Sequence, residues 1–236
     1  MTTRSGAWPR QLRLPGQAAA PEGPVDMKMM YLMHHAFRRD LDAFTGAVRG
    51  TPASDRRTWQ LLSERWELFA EALHEHHTTE DDLIWPELQR LCSAEELATL
   101  EAMEAEHGAI DPLLESCAAG LRRLARHADE DARAALAVRM SATRESLRRH
   151  LAHEESDAIT IVQRVVTAED WARLEKEIDR RGSLRGAVRL VPWIAHEVPR
   201  EVLDRVFAEV PAAFRVIWVL SRRGFARREA KAFRYA

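Results

Sequence analysis

Six side chains recur in a pattern suited to holding metal ions: His34, His76, Glu80, His107, His150 and Glu154. The order reads His … His-x3-Glu … His … His-x3-Glu, and it repeats, with 42 residues from His34 to His76 and 43 from His107 to His150. A random scatter of the ten histidines would rarely do this. The repeat predicts two helix-pair halves, each giving two imidazoles and one carboxylate to a shared centre. Residues four apart on a helix lie on one face, so His76 with Glu80, and His150 with Glu154, can reach adjacent positions of one cluster. Two carboxylates from different helices can bridge two metals while imidazoles cap the ends. Mixed imidazole and carboxylate ligation suits iron or manganese, and also zinc. Soft ligands are too few for copper(I) or an iron–sulfur cluster. Six side chains, two of them shared, leave room for water, oxygen or another small ligand, as a reactive site requires.

Four segments must position these residues. Each shows apolar residues at alternating three- and four-residue steps, the core stripe of a bundle helix. The stripes run Met30–Val48, Trp59–Ile84, Leu100–Leu124 and Leu136–Ile161. The six polar residues fall in step with them and so point inward. Burying that many ionisable groups without partners costs several kcal/mol apiece, and a cation removes the problem by satisfying nitrogens and carboxylate oxygens together. Residues 1–25 carry Pro9, Pro15, Pro21 and Pro24 and read as an irregular arm. Thr167-Ala-Glu-Asp170 signals a further helix to about Arg181, closed by Gly182. Shorter helical pieces follow at 184–197, 200–209 and 212–235. The expected organisation is an arm (1–25), a helical domain (26–166) and a helical extension (167–236).

The bulk composition excludes several classes. Net charge is -2, with no global basic bias pointing to nucleic acid. Ala, Leu, Glu and Arg dominate, favouring an all-α fold. Cys92 and Cys117 form no disulfide framework and no CxxC, so a cytoplasmic location is expected. No stretch approaches a membrane span, and the N-terminus lacks the apolar core of a signal peptide.

The strings LHEHHTTEDDLIWPEL, EAEHGAID and HLAHEESD, together with the ligand spacing, resemble the hemerythrin-like (HHE cation-binding) family of bacterial type over about residues 28–166. The resemblance implies an up-down-up-down four-helix bundle with a non-haem, carboxylate-bridged pair of irons. It assigns His34, His76, Glu80, His107, His150 and Glu154 as ligands, the glutamates bridging. Two departures stand out. Where oxygen-carrying members have a further histidine after the third-helix ligand, this chain has Asp111, then Pro112. Asp111 is either a seventh ligand or the N-cap of a helix restarted at Pro112. The oxygen carriers also space the last pair one residue wider, which would select Glu155; the stripe favours Glu154. Both departures count against simple oxygen carriage.

His35, His74, His77, His127, His153 and His196 fall off the stripes and read mainly as surface residues; His77 and His153 flank ligands and are placed to orient them, and His77 is also a candidate ligand itself. A ferritin-like site would use Glu-x-x-His, but Glu71, His74 and Glu104 leave the stripe. The tail carries Arg215, Arg222, Arg223, Arg227, Arg228, Lys231 and Arg234 among apolar residues. It either docks on its own bundle or contacts a partner or membrane surface. Three functions follow: binding or sensing of dioxygen, nitric oxide or redox state; decomposition of peroxide, or iron handling; or an interaction module acting through the tail.

Overall fold

A computed structural model describes residues 8–181 and 183–236. Gly182, expected to close a helix, lies outside the described residues, as does the start of the arm. Among the described residues the fold is all-helical, without strands. Four long helices carry the candidate site: α1 (Lys28–Gly50), α2 (Arg56–Thr79), α4 (Ala94–Arg126) and α5 (Glu130–His153). Their starts are local. Asp55 accepts the Thr58 N–H and Asp129 the Ala132 N–H, and Ser93 with Glu96 forms a reciprocal capping box.

Two interruptions follow a common plan. After α2 and after α5 the chain makes one turn of π-helix, Glu80–Ile84 and Glu154–Ala158, then resumes as short helices α3 (Trp85–Gln89) and α6 (Ile159–Val165). Each π turn begins on one of the two candidate glutamates. By contrast, Pro112 interrupts nothing: α4 runs through it. Asp111 is therefore not the cap of a restarted helix. Leu114, Cys117, Leu121 and Leu124 beyond the proline are buried and hold the helix in line.

α1 packs on α2 and α5, α2 on α4, and α4 on α5. They enclose two apolar clusters. One holds Phe37, Leu73, Ile110 and Leu147; the other holds Tyr31, Ile84, Met103 and Ala158. On every long helix the candidate ligands fall between a residue of one cluster and a residue of the other, so the polar layer is sealed on both sides. Residues 8–27 carry no helix but are strapped down: Leu12, Leu14 and Val25 are buried, and Gln11 and Gln163 both donate to the Val25 carbonyl.

The remaining helices, α7 (Ala168–Arg181), α8 (Leu184–Ile194), α9 (Arg200–Glu209) and α10 (Ala212–Ala232), follow the bundle. The tail docks on it. Trp193 of α8 is fully buried with its ring 5.4 Å from Phe37. Its Nε1 donates to Asp40 at 2.7 Å, and Asp40 also accepts from Arg65 and Arg39. Arg65 in turn donates to Glu229 of α10 at 2.8 Å. Two arginines and two carboxylates thus balance where four elements meet, the condition for buried charge to be tolerated. No helix among the described residues is long and apolar enough to cross a membrane.

Candidate metal centre

All six residues singled out by spacing converge. His34, Glu80, His107, His150 and Glu154 are buried, and His76 nearly so. With His77 added, they fall into two groups, the ligand atoms within each lying within 4.8 Å of one another: His34, His76, Glu80 and Glu154 in one, and His77, His107 and His150 in the other. The carboxylates span both. Glu80 places one oxygen 2.9 Å from His76 Nε2 and the other 3.5 Å from His107 Nε2. Glu154 Oε2 is 3.1 Å from His34 Nε2 and 4.0 Å from His150 Nε2.

His77 is the residue that the stripe missed. It is buried, and its ring stacks on His107 with centroids 3.9 Å apart and planes 9° from parallel. Adjacent helical residues point about 100° apart. A residue four positions on falls about 40° past the first, so Glu80 points between His76 and His77. α2 packs against both α1 and α4. His76 therefore turns to His34 of α1, and His77 to His107 of α4. The second histidine in the sequence His76-His77 was the available signal. Asp111 is exposed on α4 and belongs to neither group.

Around the groups, carboxylates hold the outer nitrogens of three imidazoles. Glu155 lies 2.9 Å from His34 Nδ1, Asp81 2.9 Å from His107 Nδ1, and Glu106 2.9 Å from His150 Nδ1. Each contact fixes the ring so that Nε2 faces inward. Glu155 is thus buried but engaged outside the groups: it also accepts a two-point contact from Arg38 and the Ala18 N–H of the arm. Glu106 is shared with His153, whose Nε2 lies 3.4 Å from Asp157.

The inner atoms face only one another, at angles that make no hydrogen bond. His34, His76, His107 and His150 Nε2, both nitrogens of His77 and all four oxygens of Glu80 and Glu154 are buried without a hydrogen bond. Unsatisfied buried polar atoms are rare and costly, and ten in one layer fit a cation-binding site. The protonation pattern points the same way. Burial works against charge on His34, but Glu154 and Glu155 overcome it and raise its pKa to about 9. Burial, then His34, drive His76 down to about 3. Burial and the neighbouring imidazoles, His107 first, push His77 lower still. Glu80 is pushed well above the usual carboxylate range by burial and by Glu154. Burial would raise Glu154 too, but His34 holds it charged, down to about 2. Without a cation the layer therefore has to share protons among groups that cannot all ionise.

A family model, the hemerythrin HHE cation binding domain, matches residues 25–162, more than half of the chain. The chain belongs to the hemerythrin HHE family. Membership makes the helical bundle a metal-ion-binding domain, and the two groups are the His and Glu residues of the hemerythrin domain that can hold the metal. No curated protein and no solved structure matches the chain.

Proposed function

We propose that this protein is a non-haem di-iron hemerythrin-like protein that binds or senses dioxygen, nitric oxide or redox state. One observation carries the reading: two ligand groups lie side by side and share the carboxylates of Glu80 and Glu154. His77, His107 and His150 would hold one iron, and His34 with His76 the other, with Glu80 and Glu154 bridging. Seven side chains fit two cations and still leave a position for a small ligand; manganese or zinc could use the same donors. The bundle is read as up-down-up-down, supported by the alternation of the two apolar clusters along successive helices. When bound, iron supplies one-electron chemistry and a coordination position. The chain's own part is to orient the imidazoles through Glu155, Asp81 and Glu106, and to keep water out with the apolar clusters on either side. Free Cys92 and Cys117 suit a reducing cytoplasm.

A second reading, peroxide decomposition, is favoured by the contacts that lead from buried His150 through Glu106 and His153 to exposed Asp157. Such a path can move protons to and from the surface. Two peroxides would give two waters and one dioxygen, with no outside reductant.

Metal analysis with an absorption spectrum of the freshly purified protein tests the first reading. Two irons per chain and a visible band that reduction abolishes are expected. An iron-loaded protein whose spectrum ignores dioxygen, nitric oxide and reductant would refute it. Steady-state peroxide turnover separates the second reading from the first.

A further inference from the structure

The last helix presents an unusual outer face. α10 docks through Phe225, Glu229 and Ala232, which are buried, while no residue of its first half is. At about 100° per residue, Ala212, Ala213, Val216, Val219 and Leu220 share one outward sector roughly 120° wide. All five are exposed; Val216 is 56%, Val219 53% and Leu220 78% accessible. The same sector continues through Arg223, Arg227 and Lys231, also exposed. The outer face is thus apolar along its first half and cationic along its second. α8, which packs on α10, also exposes Val188 and Arg185.

The charge is one-sided. The only acid on α10 is Glu229, and it is buried against Arg65. Among the described residues no carboxylate oxygen lies within the 4.0 Å ion-pair distance of Arg222, Arg223, Arg227 or Lys231. Everywhere else on this molecule surface arginines mostly find acids: Arg148 takes Asp42, Arg189 takes Glu71 and Arg181 takes Asp82. Uncompensated cations beside exposed aliphatic side chains suit a surface that is densely anionic, apolar just beneath and without fixed partner geometry. A protein interface would instead exclude charge from its centre.

We propose that the outer face of α10 is a docking surface for an anionic phospholipid bilayer. Val216, Val219 and Leu220 enter the boundary between headgroups and acyl chains, and Arg223, Arg227 and Lys231 contact lipid phosphates. The helix lies in the plane of the surface, and the metal domain stays in water above it. This surface is independent of the metal-ligand assignment.

Cosedimentation of the full metal-loaded chain with vesicles tests the proposal. The protein should pellet with vesicles of phosphatidylcholine mixed with phosphatidylglycerol, release as salt is raised, and stay in solution with phosphatidylcholine alone. Arg223→Glu with Arg227→Glu should weaken partition on the order of thirty-fold, about five-fold or more per cation. Arg223→Lys with Arg227→Lys should retain binding. Val216→Asp with Leu220→Asp should weaken it about ten-fold, with helix content and metal content unchanged in every variant. Failure of the native chain to pellet with anionic vesicles, or undiminished binding by the Glu or Asp variants, would overturn the proposal. So would a stable dimer in light scattering that Val216→Asp abolishes, since a second copy would then own the face.

Discussion

His77 and Asp111 show how much a single position decides. His77 follows His76 directly and Asp111 lies four residues after His107, yet His77 is buried against His107 and Asp111 faces solvent. Removing His77 should lower the metal bound per chain, whereas Asp111→Ala should leave metal content unchanged; elemental analysis of the two variants checks this. Glu155 illustrates a different role, since it touches His34 through Nδ1 and is itself clamped by Arg38. Glu155→Gln keeps the shape but loses the charge, and metal affinity should fall by roughly 10–100-fold, as for other residues that orient a ligand. Competition with a chelator of known affinity measures that loss; an unchanged affinity would count against the role.

Between elements, close approach and charge balance set the geometry. At Gly120 on α4, an added Cβ would sit 2.8 Å from Leu136 Cδ1 of α5; overpacking of about 1–3 kcal/mol, offset by the roughly 1 kcal/mol that Ala gains over Gly inside a helix, should leave Gly120→Ala destabilised by at most about 2 kcal/mol. Denaturant midpoints would reveal it. The Asp40 junction of α1, α2 and α8 carries a pH signature. Burial favours the neutral acid there, but Arg65 first, then Arg39 and the Trp193 N–H, hold the carboxyl below its ordinary value of 3.8. A depressed folded pKa contributes stability above the unfolded value and loses it as pH falls through the folded one. Asp40→Asn should therefore be about 3–5 kcal/mol less stable at neutral pH, because it leaves Arg65 short of a partner. The gap should narrow as pH drops below about 4. A gap constant across that range would contradict this assignment.

At the scale of the whole molecule, the tail and the metal layer are mechanically joined. Trp193 packs on Phe37, whose ring is 5.3 Å from that of His76. Trp193→Ala should destabilise the fold by about 3–5 kcal/mol and also speed release of metal to a chelator. Fast release with unchanged stability, or the reverse, would show the two to be uncoupled. The extension is thus part of the wall that keeps the polar layer dry, whatever its outer face contacts.

The stripes alone placed four long helices, because an inward-facing stripe is a local property of three- and four-residue spacing. Candidate ligands four residues apart were legible for the same reason. That Glu154 rather than Glu155 falls within the inner group was also readable from phase along one helix. What the spacing could not reveal was that α2 meets α1 on one side and α4 on the other. Only that packing puts neighbours His76 and His77 into different groups and leaves Glu80 between them. Nor could it reveal the π turns at Glu80 and Glu154, the carboxylates behind each imidazole, or the Trp193 anchor. Local periodicity fixes which face of a helix is buried, but which faces meet depends on the angles and offsets between helices, which arise only when all of them pack together.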